Sequence, residues 1–258
     1  MISIRVFCLV VTSALLVPNV SHAQSSELEP KAVTGSRILQ KPEQLDIDLV
    51  RVMQKDFGKC IYRKEAVLAD RFLLFSDPVS VDFDALGFEV EDLEDLIEKF
   101  SMSDCLNATM RANQSETLLK FDMRLLRPLL AEEAYLEAFD TPFMLPEDAP
   151  EFVIERVFVT SNNLQKAKSL GAFSDCVVYQ SVSEADALLR SRPSSSQEMK
   201  SIKALIPALS ACVVDGQEVK LTPASIRSIV AEGLWTRSYY TGSRNESADP
   251  NVSEQLVD

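Results

Sequence analysis

One histidine stands in the whole chain of 258 residues, His22, and it lies in an N-terminal stretch that reads as a leader. Past that point there is no Ser-His-Asp or Cys-His nucleophile system, no imidazole base and no histidine-ligated zinc. Glycine is scarce as well, at 7, and neither a P-loop nor a dinucleotide fingerprint can be written anywhere in the chain. Basic residues number 26 against 39 acidic ones, a net charge of -13. That balance repels phosphate backbones and anionic lipid, which argues against nucleic acid as a partner and suits a cationic one. It also keeps an exported protein in solution. No cofactor and no metal ligand set is expected, and any chemistry falls to carboxylates, Lys, Tyr or Ser.

What is present begins with the leader. Arg5 gives a positive n-region, Val6 to Val17 is an apolar run too short to span a bilayer, and Pro18 breaks it. Ser21-His22-Ala23 offers small residues at the minus-three and minus-one positions, so residues 1–23 read as a Sec-type signal cleaved after Ala23. Cys8 has no small-residue box before it, which argues against a lipid anchor. No later run approaches ~18 apolar residues, so no membrane span is expected. The protein is expected in the periplasm or secreted.

The rest of the chain matches itself. Phe57 and Cys60 correspond to Phe173 and Cys176; at the same offset of 116, Ala69-Asp70 and Phe72-Leu73 correspond to Ala185-Asp186 and Leu188-Leu189. At an offset of 100, Leu126-Arg127, Leu129-Leu130-Ala131-Glu132 and Ala134-Tyr135 correspond to Ile226-Arg227, Ile229-Val230-Ala231-Glu232 and Leu234-Trp235. The first copy is longer in its middle, an excess that fits Pro78 to Val90 and the segment Asn107 to Ser115. This divides the chain into a linker at 24–41, a helical unit at 42–140, a connector at 141–162, a second helical unit at 163–241 and a polar tail at 242–258. Linker and tail have the composition of disordered segments.

Each copy holds two cysteines, Cys60 and Cys105 in the first and Cys176 and Cys212 in the second. In an exported chain without a CxxC pair these read as disulfides rather than metal ligands, buried free thiols being the alternative. Of the three connectivities, Cys60–Cys105 and Cys176–Cys212 follow if each copy folds as a unit. Closing loops of this size contributes ~4 kcal/mol in the chain-entropy model.

Apolar spacing in the copies is helical. Leu126, Leu129, Leu130 and Ala134 form one stripe, and Ile226, Ile229, Val230 and Leu234 form its counterpart. Thr222 before Pro223, and Asp122 at the matched place, are N-caps, whereas Pro128 should kink or delay the first of these helices. Leu93, Leu96, Ile97 and Phe100 predict a further helix, as do Met199, Ile202, Leu205, Ile206 and Leu209, the stretch Arg63 to Phe75 and the stretch Ser183 to Arg190. Asp215-Gly216 between β-formers marks a hairpin over 213–219, and Glu151 to Thr160 either pairs as a strand or joins the copies. The fold class expected is mostly α: two tandem, duplicated helical units with at most a short β-hairpin each. The repeated Phe-x-x-Cys segment followed by a Leu/Ile-Arg…Ala-Glu…Tyr/Trp helix resembles uncharacterised exported proteins of alpha-proteobacteria; the resemblance spans most of residues 55–240 and implies localisation and repetition but no activity.

Candidate sites are few. The acids of Glu89 to Glu98 alternate with Leu93, Leu96 and Ile97 and read as solvated helix faces, lacking the loop of a calcium site. Arg127 and Arg227, with Glu132 and Glu232, recur in both copies; five residues apart on a helix they are ~140° apart and cannot pair within it. They are expected to bridge to a neighbouring element, or else to serve as equivalent contacts for an external partner. Tyr135 and Trp235 are expected in the core, while Tyr239 and Tyr240 are candidates for contact with something else. The sequons at Asn107, Asn113, Asn245 and Asn251 matter only in a host that glycosylates its exports. The function expected is that of a non-enzymatic protein-interaction or binding protein. Its rivals are a carboxylate-dependent hydrolase with its site between the units, and a carrier of a small cationic or apolar ligand.

Overall fold

The computed structural model describes residues 46–88, 93–113, 123–160, 162–213 and 221–240, all within one compact unit, Pro42–Asp258. The leader, the linker, the tail, the cap at Asp122, the acids at 89–92 and the hairpin from 214 onward lie outside the described residues.

Helices begin where local chemistry dictates. Asp46 caps α1 (Ile47–Lys64) by accepting from the N–H groups of Asp48 and Leu49, and Arg63 and Lys64 complement the negative end of its dipole. Val52, Met53, Phe57 and Ile61 form its buried stripe. The chain leaves helical backbone at Glu65, so the single helix expected over Arg63 to Phe75 is instead the end of α1 and a separate α2 (Ala66–Leu74). The turn lets the stripes of both helices, with Ala69, Phe72 and Leu73 from α2, enter the same core. Then come α3 (Phe83–Leu86), α4 (Leu93–Lys99), α5 (Met102–Ala112) and α6 (Met123–Ala138). Pro128 sits inside α6, past its first turn, and the helix starts without delay.

The second half runs α7 (Leu164–Gln180), α8 (Val182–Arg190), α9 (Ser196–Cys212) and α10 (Pro223–Tyr240). Ser195 caps α9, its Oγ accepting from the Glu198 N–H, and the Glu198 carboxylate accepts in turn from the N–H of Ser194, one residue ahead of the cap. Thr222 caps α10 through the Ser225 N–H. The described residues are thus mostly helical; their one bridge, Ser76 to Val81, belongs to no named strand, and Glu151–Thr160 joins the halves.

Shifted by 116, the bounds of α2 fall on those of α8, and those of α1 fall within a residue of α7; shifted by 100, the first residue of α6 falls on that of α10. Glu65, between α1 and α2, corresponds to Ser181, between α7 and α8. Packing follows the same correspondence, with α6 lying against α1 and α2 while α10 lies against α7 and α8. Between α2 and α5 the first half carries α3 and α4, where the second half runs from α8 directly into α9. Cys60 on α1 is bonded to Cys105 on α5, and Cys176 on α7 to Cys212 at the end of α9. The halves share one hydrophobic core, in which Phe57, Phe72, Leu126 and Leu130 lie with Val177, Leu188, Val230 and Leu234.

Candidate functional site

At the centre of the molecule α6 packs against α10, and the four charged residues that recur in the sequence meet there. Arg127 donates from Nε and Nη2 to the two carboxylate oxygens of Glu232, at 2.8 and 2.9 Å. Arg227 donates from the same two nitrogens to Glu132, both at 2.7 Å. Each arginine therefore pairs with the glutamate of the opposite helix, and the two bidentate forks repeat atom for atom. Further bonds run to backbone carbonyls, from Nη1 in Arg127 and from Nη2 in Arg227. Arg127 donates to Leu73 O and Ser76 O at 2.7 and 2.6 Å, and Arg227 to Leu189 O and Ser191 O at 2.7 and 3.0 Å. Leu73 and Leu189 are themselves a matched pair. So are Asp70 and Asp186, each of which accepts a tyrosine hydroxyl, from Tyr62 at 3.1 Å and Tyr135 at 2.7 Å.

Each glutamate is met by a second cation, and here the halves differ in source. Glu132 receives the ammonium of Lys55 on α1. The residue matching Lys55 is Gly171 on α7, which brings no side chain. A Cβ built on Gly171 would lie 2.6 Å from Nη1 of Arg156, and that guanidinium, carried in by the connector, reaches Glu232 at 3.2 Å and also pairs with Asp175. An arginine from the connector thus occupies the space that a lysine from the helix fills in the first half. The sequence signal was the vacancy at Gly171; nothing in the spacing pointed to Arg156.

Burial pushes the carboxyl of Glu132 upward, but Arg227 and Lys55 outweigh it and hold the group below the usual carboxylate range. Arg127 and Arg156 do the same for Glu232 against its own burial. A hydrolase built across the halves would need paired carboxylates facing open space. These two are buried and clamped, and the cavity beside Glu132, between Arg51, Lys55 and Arg227, is about 60 Å³. Arg127 and Arg227, considered above as contacts for an external partner, are turned inward: both are buried, and their guanidinium groups are spent on Glu232 and Glu132.

No family model, no curated protein and no solved structure matches this chain.

Tyr135 and Trp235 are buried, as their matched positions suggest. Tyr239 and Tyr240, at the end of α10, are only half-buried and line a groove of about 500 Å³ with Leu74, Phe75, Asp82 and Phe158. The connector forms one wall and is fastened on both sides. Val159 and Thr160 donate their N–H groups to Asp77 at 3.0 and 2.8 Å, and the Val157 N–H donates to Tyr240 Oη at 3.3 Å. Arg237 of α10 donates to the carbonyls of Pro150 and Glu151. Asp77 and Arg237, like Lys55, Arg156 and Glu198, carry no periodic or motif signal in the sequence. Glu198 is fully buried, accepting from Arg51 at 2.5 Å and Arg227 at 3.2 Å. Among the described residues no cluster of His, Cys, Asp or Glu is arranged to hold a metal ion.

Proposed function

We propose that this chain is an exported, non-enzymatic binding protein that engages another protein through the groove walled by Tyr239 and Tyr240. The observation that carries the reading is a contrast between two places. Where the halves meet, every repeated charge is neutralised and enclosed; where α2, the connector and the end of α10 meet, a groove of about 500 Å³ is lined by aromatic and aliphatic side chains that are not fully buried. Tyrosines that are apolar along the ring and polar at the tip suit such a contact.

Export is part of the reading. Its supports are the leader at residues 1–23 and the two disulfides, bonds that persist in an oxidising compartment. No described helix is long and apolar enough to cross a membrane. Descent from a doubled helical unit is the other part. Its supports are the coincident helix bounds, one disulfide in each half and the exchanged Arg–Glu forks.

The test is affinity capture from the host envelope with the wild-type protein and with Tyr240→Ala. A partner recovered by the first and lost by the second is the expected result. A partner retained equally by both would place the contact elsewhere, and a small molecule carried at stoichiometric mass in native mass spectrometry would favour a carrier.

A further inference from the structure

The groove has a chemical character beyond being apolar. Among the described residues four aromatic side chains line it, Phe75, Phe158, Tyr239 and Tyr240, and the one charged lining residue is Asp82. The two tyrosine rings meet edge to face with centroids 4.9 Å apart. Oδ1 of Asp82 accepts the Ala85 N–H at 3.0 Å and caps the short α3, while Oδ2 accepts no hydrogen bond among the described residues. Aromatic walls with a single carboxylate attract a cation that carries an apolar stem: the ring faces are electronegative and the carboxylate supplies the counter-charge. The net charge of -13 draws such a partner in at long range. An acidic segment would meet repulsion from both.

We infer that the groove takes a lysine or arginine side chain presented between apolar residues by an extended segment of a partner protein. This rests on the groove being the binding face, and it adds the chemistry of what enters. The ammonium or guanidinium lies against the tyrosine rings and Asp82, the methylene stem fills the space beside Phe75 and Phe158, and the flanking apolar residues cover Leu74 and Val157.

The molecule carries its own reporter. Trp235 is the single tryptophan in the chain, is buried, and stacks on Tyr239 with ring centroids 5.6 Å apart. Filling the groove against Tyr239 therefore changes its fluorescence. The experiment titrates the disulfide-bonded chain with three capped tripeptides, Leu-Lys-Leu, Leu-norleucine-Leu and Leu-Glu-Leu, following Trp235 emission and heat by calorimetry. Wild type, Asp82→Asn and Tyr240→Ala are compared. Asparagine still caps α3, so the first variant removes the charge and keeps the fold. The expected result is a lysine peptide bound about tenfold more tightly than the norleucine peptide, with the glutamate peptide weakest. Asp82→Asn should erase several-fold of that preference, and Tyr240→Ala should weaken all binding. Equal affinity for the lysine and norleucine peptides, unchanged by Asp82→Asn but lost with Tyr240→Ala, would overturn the cationic assignment and leave the groove as the binding face. No saturable signal with any peptide would overturn the cationic assignment, and envelope capture lost with Tyr240→Ala would then still support the groove.

Discussion

Glu133 is the residue whose environment is least comfortable. It is buried on α6 beside Glu132, with Lys55 at 3.8 Å, and among the described residues one of its oxygens takes no hydrogen bond. Burial first, and the neighbouring charge of Glu132 after it, push its carboxyl up to about 7. An unfolded glutamate titrates near ~4.3. Between those values the native protein holds a proton that the unfolded chain has released, so stability falls as pH rises toward 7 and levels off above it. Glu133→Gln removes that slope. In urea unfolding the variant should gain up to ~3 kcal/mol over wild type at pH 8, with little gain at pH 4; the same difference at both pH values would contradict the assignment. The clamped glutamates have the opposite sign: Glu132 and Glu232 titrate below the usual range, so their contribution is present above ~4.3 and is lost as pH falls through their lowered values. Arg227→Met strands Glu132 with Lys55 alone and should lose ~3–5 kcal/mol by the same measurement, with part regained on adding Glu132→Gln. A fall below 1 kcal/mol would mean that the fork is looser than its geometry.

Close approach governs the elements. A Cβ on Gly233 of α10 would stand 2.5 Å from the Ser174 carbonyl oxygen of α7, so Gly233→Ala forces helix backbones apart and should lose ~1–3 kcal/mol. The connector offers a sharper test, because Arg156 replaces a cation that the first half holds on its own helix. Arg156→Met should destabilise; adding Gly171→Lys should recover at least ~1 kcal/mol by putting an ammonium where Lys55 has one. No recovery would mean that the two positions are not equivalent. Much at this scale was legible in the sequence. The stripes of α6 and α10 stand as the apolar spacing predicts, and helices stand around Leu96, Leu188 and Leu205, but Met199 and Ile206 of the stripe expected for α9 are exposed while Glu198 and Ser201 are buried. The segment that became α1 has the same 3.6-residue pattern in Val52, Met53, Phe57 and Ile61, but only its Phe-x-x-Cys portion was singled out. Its partner α7 gives a weaker signal, since much of its buried face is small or polar: Ala167, Gly171, Ser174 and Asp175. Such residues mark close packing that hydropathy does not register.

Across the whole molecule each half is closed by its own cystine, and the two halves are tied to each other by the exchanged ion pairs. Repetition of Arg127 and Glu132 at Arg227 and Glu232 was plain in the sequence. Their exchange between helices was not, because an offset of five residues tells only that they cannot pair within a helix. The groove was out of reach for the same reason: α2, the connector and α10 are distant in the chain, and only Tyr239 and Tyr240 were flagged. Because the forks sit in the shared core while the cystines lie one in each half, reduction alone should lower the unfolding midpoint without separating the halves. Scanning calorimetry with and without reductant should show one transition in both conditions, and two transitions on reduction would count against a common core. The most direct test of the account is a peptide map of the unreduced protein recovered from its host. It should yield an N-terminal peptide starting at Gln24, Cys60 linked to Cys105, and Cys176 linked to Cys212. A leader still attached, four free thiols, or a cystine joining one half to the other would contradict it.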